Sequence, residues 1–164
     1  MKETIERVDK ILKAQNLITL QDAKNEIPAS AEGFYWIYTQ LPLSRFSSAS
    51  RPLNRAHIDF SIMAKLHKNL RSVITQQNND YWCIYNGKGK QLKYRLAAGF
   101  TNTDGATGKL ALTRCFDTDD FRLKYIVCNS NDANHGIKEK YIDIQRDLER
   151  VWRLHYGWPF LCRT

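Results

Sequence analysis

Apolar residues recur at helical spacing between positions 3 and 15, at Ile5, Val8, Ile11 and Leu12, and predict an amphipathic helix. A second short helix is predicted at 20–26, stopped by Pro28. The pattern then turns aromatic and β-branched. GFYWIYTQL (33–41) reads as a strand. PLSRFSSASRPLNRA (42–56) holds two prolines, four serines and three arginines, and predicts an exposed loop. HIDFSIMAKLHKNLRSVI (57–74) places Ile58, Ile62, Leu66, Leu70 and Val73 on one face and predicts a helix, broken by QQNND.

YWCIY (81–85) predicts a second strand of the same aromatic character, and NGKG is expected to turn the chain. KQLKYRLAAG (90–99) reads as a helix ended by Gly99, followed by a loop at 101–108. FRLKYIVC (121–128) predicts a third strand. After the loop NSNDANHG, IKEKYIDIQRDLERVWRLHYG (137–157) reads as one long helix, ended by Gly157 and then Pro159. Three strands with helices between and after them predict a small α+β domain over 1–164: a three-stranded antiparallel sheet flanked by helices. Residues 1–30 form a helical extension, and 42–75 a loop and helix inserted between the first two strands. That connection is long for a hairpin, so the two strands are either neighbours with an attachment or not neighbours at all.

The chain's 164 residues suit one domain with a real core, and 43% hydrophobic with 26% charged residues is a globular mix. No run of 18 apolar residues exists, which predicts no membrane span. The charged N-terminus does not read as a signal peptide. Cys83, Cys115, Cys128 and Cys162 lie far apart with no CxxC pair, against a zinc knuckle or a disulfide scaffold; a reducing cytoplasmic location is expected.

Charge sharpens the picture. The net charge is +8, and residues 33–100 carry ten basic residues against Asp59 and Asp80, so 10 − 2 = +8 lies in that span alone. The ten are Arg45, Arg51, Arg55, Lys65, Lys68, Arg71, Lys88, Lys90, Lys93 and Arg95. Such a concentrated field favours a polyanion through counterion release, and duplex DNA is the expected partner.

Several chemistries are absent from the sequence. NGKGK is not a GxxxxGK[ST] loop, no GxGxxG follows a strand, and no GxSxG elbow occurs. His57, His67, His135 and His155 show no metal-ligand spacing. What remains is a series: EGFYWIY with Tyr35, CIYNGKGKQLKYRL with Tyr85 and Arg95 ten residues on, then DLERVWRLHYGWP with Glu149. This series resembles the GIY-YIG nuclease family, over roughly residues 31–162. That family carries one tyrosine motif on each of two strands, an arginine on the next helix and a metal-binding glutamate on a later one. Gly99 stands where the family often has His or Tyr, and Cys162 near where it tends to have Asn.

The resemblance implies a metal-dependent endonuclease acting on DNA, of a restriction type with an insertion between the two motifs. A homodimer on a palindromic site is the usual assembly of such an enzyme. The alternative is a non-catalytic nucleic-acid-binding module on the same fold. Glu149 is expected to hold Mg²⁺ or Mn²⁺, Arg95 to fork onto phosphate oxygens, Tyr35 to orient or deprotonate water, and Tyr85 to bond the phosphate. A phenol serves as base only where a neighbouring cation lowers its pKa. Lys88, Lys90 and Lys93, and Arg45, Arg51, Arg55, Lys65, Lys68 and Arg71 of the insertion, are expected to contact nucleic acid. Each residue also has a plain structural alternative: the tyrosines as a cross-strand packing pair, and Glu149 as partner of Arg146, Arg150 or Arg153 on a solvated helix.

Overall fold

The computed structural model describes residues 1–75, 80–101 and 110–163. The loops expected at 76–79 and 102–108 lie outside the described residues. Helices α1 (Lys2–Ala14) and α2 (Leu20–Glu26) form as the periodicity predicts. α2 begins on a capping box in which the Thr19 side chain accepts from the Asp22 amide and Asp22 returns to the Thr19 amide.

The sheet is antiparallel, in the order β3–β1–β4, with β1 (Gly33–Thr39) between β3 (Trp82–Gly89) and β4 (Phe121–Val127). The molecule is thus α+β with a three-stranded antiparallel sheet flanked by helices. The two tyrosine strands are direct neighbours despite the long connection between them.

Side-chain alternation along β1 builds two cores. Tyr35 and Ile37 face a layer made by α2, α3 (Leu43–Ser47), α4 (Phe60–His67) and α5 (Leu92–Thr101). Phe34 and Trp36 face α1 and the two helices α6 (Tyr141–Ile144) and α7 (Leu148–Tyr156). Register shifts between Ile37 and Tyr38, leaving Ile84 as the extra residue of a bulge next to Tyr85.

Four expectations are corrected. NGKG is not a turn: β3 runs on through Gly89, because Asn86, Gly87 and Lys88 pair with Trp36, Tyr35 and Phe34. Segment 42–56 is not simply an exposed loop. It contains α3, which carries the fully buried Phe46 against Phe60, Phe116 and Phe160.

The helix expected over 57–74 shrinks to α4, capped by Asp59, whose carboxylate accepts from the Ile62 amide at 3.0 Å. Its inward face is Phe60, Met63 and Ala64, while Ile62, Leu66 and Leu70 are exposed. Val73–Ile74 instead form β2, paired in parallel with β5 (Trp158–Pro159). The single helix over 137–157 is broken. Residues 137–139 spend backbone groups on the end of β4 and the loop after it: Ile137 N bonds Val127 O, and Asn129 N bonds Glu139 O.

No helix among the described residues is long and apolar enough to cross a membrane.

Candidate functional site

Tyr35 of β1, Tyr85 of β3, Arg95 of α5 and Glu149 of α7 line one cavity of about 460 Å³. Register brings the two phenols together. Tyr35 pairs with Gly87 and Tyr85 with Ile37, so the tyrosines are diagonal neighbours on one face, ring centroids 6.1 Å apart. Glycine makes room for this. A Cβ on Gly87 would lie 2.6 Å from Tyr35 Oη, and one on Gly89 would lie 2.7 Å from Arg95 Cβ. Gly99 also lines the cavity, and there a Cβ would meet Tyr35 Oη at an ordinary 3.8 Å.

Glu149 sits on the first turn of α7, its side chain 12% exposed. One of its oxygens, Oε1, is 3.5 Å from Lys88 Nζ and 3.9 Å from Arg153 Nη2. Lys88 also donates to the Gln145 carbonyl, which pins it across the mouth of α7. A second carboxylate of this region, Glu139, is committed elsewhere, accepting from Arg7 and Thr4 of α1.

Beneath Glu149 lies a polar cluster that sequence reasoning missed. Arg153 is not a solvated helix residue: it is 4% exposed. Its Nε donates to Asn86 Oδ1 at 2.6 Å, its Nη2 to Asn86 O at 3.3 Å, and its guanidinium stacks over the Trp158 ring. Cys162 Sγ approaches Asn86 Oδ1 at 3.3 Å and accepts from the Asn86 amide at 3.4 Å. Asn86 is itself 1% exposed, and its Nδ2 has no partner among the described residues. The sequence carried no clear signal for this cluster: Asn86 reads as the first residue of a turn, and only its place in β3 opposite Trp36 buries it and makes a partner necessary.

Burial dominates the electrostatics of the phenols. It pushes Tyr35 well above its ordinary pKa, with Tyr85 adding to the rise, and Arg95 opposes it without reversing it. Burial likewise raises Tyr85, and Arg95 again acts in the lowering direction. The protein's own cations therefore do not lower either phenol: near neutral pH, without a metal, both tyrosines are hydrogen-bond donors. Burial pushes the Cys162 thiol up to about 11, against the lowering field of Arg153.

The basic residues separate by position. Lys88 lines the cavity, and Arg51 and Arg55 line a chamber beside it. Arg45, Lys65, Lys68, Arg71 and Lys90 are exposed and Lys93 is half-buried; none of these six lines the cavity. Arg163, which carried no sequence signal, does line it.

The cavity's donor set suits a hard divalent cation rather than a soft one: one carboxylate, three phenols (Tyr35, Tyr85 and Tyr141) and a thiol held in its protonated form. No group of three or more His, Cys, Asp or Glu side chains converges among the described residues, so any such ion would take Glu149 as its protein carboxylate and keep waters. Comparison with profiles of known protein families, with curated proteins and with solved structures returns no match to this chain.

Proposed function

We propose that this chain is a metal-dependent endonuclease of the GIY-YIG type that hydrolyses DNA phosphodiester bonds. The observation that carries the reading is the convergence of Tyr35, Tyr85, Arg95 and Glu149, drawn from four separate elements, on one cavity. Core packing accounts for Tyr35, which is 1% exposed, and for its contact with Tyr85, but it does not call for Arg95 and Glu149 to meet them in one cleft, and that meeting speaks for chemistry.

Glu149 would hold Mg²⁺ or Mn²⁺, an ion that supplies charge neutralisation at a phosphate oxygen and an acidified water. Arg95 offers a fixed cation with forked donors to the phosphate oxygens. Tyr35 and Tyr85, kept protonated by burial, orient water and phosphate by donating hydrogen bonds. Lys88, 3.5 Å from Glu149 Oε1, would offer its ammonium to the substrate's charge. Under this reading segment 42–75 is the DNA-contacting element of a restriction-type enzyme, and a homodimer would present two such elements to a palindrome.

One observation favours the alternative, a DNA-binding module without catalysis: Glu149 Oε1 already has two cations within 4.0 Å, Lys88 at 3.5 Å and Arg153 at 3.9 Å. Supercoiled plasmid incubated with Mg²⁺ or Mn²⁺, and with EDTA, separates the two. Nicking or linearisation that EDTA and Glu149→Ala both abolish supports the nuclease. Cleavage that survives Glu149→Ala unchanged overturns it, and tight duplex binding with no cleavage under either metal assigns the module.

A further inference from the structure

The wall of this cavity continues at Arg163 into a smaller chamber of about 320 Å³. Ile58 lines the larger cavity, whereas its chain neighbours His57 and Asp59 line the smaller one. Arg163 lines both, and its Nη2 donates to the His57 carbonyl at 3.1 Å, which anchors the guanidinium at the partition.

Three features give the chamber a chemistry. Arg51 and Arg55 line it with Arg163, so three arginines border a small volume, and all three residues are exposed. Against them stands one carboxylate, Asp59, already committed as the cap of α4. Like charges gathered in this way repel unless an anion lies among them. Independently, His57 is only 4% exposed, and its Nε2 is buried with no hydrogen-bond partner among the described residues. An orphaned buried polar atom in a chamber wall marks a place where a bound group completes the bonding.

We propose that this chamber is a subsite for a phosphate of the nucleic-acid backbone flanking the one in the catalytic cavity. Arg163 is shared between the two phosphates, and Arg51 and Arg55 close on the outer one. The assignment rests on the nuclease reading for what occupies the adjoining cavity. It gives the substrate strand a direction: the strand leaves the cavity over Arg163 toward the 51–55 loop. It also makes Arg163, outside every recognised motif of the sequence, a substrate-binding residue.

The test is fluorescence anisotropy of a labelled duplex in EDTA, across a series of salt concentrations. Arg55→Gln and Arg163→Gln should each lower the slope of log Kd against log salt by about 0.9, the signature of one lost phosphate contact. Lys24→Gln, an exposed change on α2, should leave the slope as it is. Arg55 is an exposed loop residue, so its variant reads out binding even if Arg163→Gln folds poorly. Unchanged slopes in both folded variants, with wild-type binding and cleavage intact, overturn the subsite alone. A wild type that binds no duplex at low salt overturns the nuclease reading and the subsite together. Competition by inorganic phosphate that Arg163→Gln abolishes, with the duplex slope unchanged, assigns the chamber to free phosphate and also overturns it.

Discussion

Gly87 lies directly opposite Tyr35 in the β1–β3 pair, and the tyrosine ring fills the space where a side chain at 87 would be. A Cβ there would stand 2.6 Å from Tyr35 Oη and 2.7 Å from its Cζ. Gly87→Ala must therefore push the ring out of the cavity wall. We expect a loss of about 1–3 kcal/mol in stability, the usual range for overpacking. Cleavage should be lost while duplex affinity is kept, because the basic surface is untouched. Urea unfolding paired with plasmid cleavage measures both.

Gly99 is the contrasting case. It lies inside α5, and a Cβ there meets Leu110 at 3.7 Å and Tyr35 Oη at 3.8 Å, both ordinary contacts. Gly99→Ala should stabilise the protein by roughly 0.5–1 kcal/mol, by removing the backbone entropy cost of a helical glycine. A thermal melt that fell instead would show that position 99 has no room for a methyl group.

The Asn86–Arg153 pair predicts an order of damage. Asn86→Leu takes from the buried Arg153 guanidinium the 2.6 Å acceptor of its Nε, at a cost of about 1.5–3 kcal/mol for a bond to a charged group. Arg153→Met leaves the neutral Asn86 groups short of a donor and takes from Glu149 the more distant of its two cations, and should cost less. The double variant should cost less than the sum of the two, since each change removes the other's penalty. Chemical denaturation of the three variants checks the order.

Alkaline pH should unfold this protein through its buried acids. The Cys162 thiol is raised by burial from 9.0 to about 11. Its contribution to stability is complete below the unfolded value. It is lost as pH rises toward the folded one, because the unfolded chain releases the proton first. Cys128, raised to about 12, acts in the same direction, as does Tyr35. Melting temperature should fall between about pH 9 and about pH 11, and Cys162→Ala should flatten that fall.

Lys88 competes with any cation for Glu149, its Nζ being 3.5 Å from Oε1. Lys88→Met should lower the Mg²⁺ concentration at which cleavage is half-maximal, while weakening duplex affinity. A metal requirement that rises in this variant would make Lys88 a support of the ion's site rather than its competitor.

Strong local signals were legible in the sequence. The first two helices, the aromatic strands around Tyr35 and Tyr85, and the helix of Arg95 each have a period or a cap that acts over a few residues. What the sequence hid was decided by distant partners. The face of α4 was misassigned because Phe60 is drawn into the aromatic cluster with Phe46 and Phe116, which turns Ile62 and Leu66 outward. NGKG reads as a turn in isolation, yet the pairing of Gly87 with Tyr35 holds it as strand. Arg153 resembles any surface arginine until Asn86, 67 positions earlier, is placed against it. Arg163 gains meaning only from the two hollows it separates.

The cavity draws its phenols from positions 35 and 85, its carboxylate from 149, and its closing wall from Leu161 and Cys162, the first tied by its amide to the Ile84 carbonyl. On the ribosome these parts emerge in that order. β4, which completes the sheet, is also made before Glu149, so the acid, Arg153 and Arg163 all follow the sheet strands in order of synthesis. Under the nuclease proposal, translation order keeps the metal-holding carboxylate apart from the phenols until every strand of their sheet has been made.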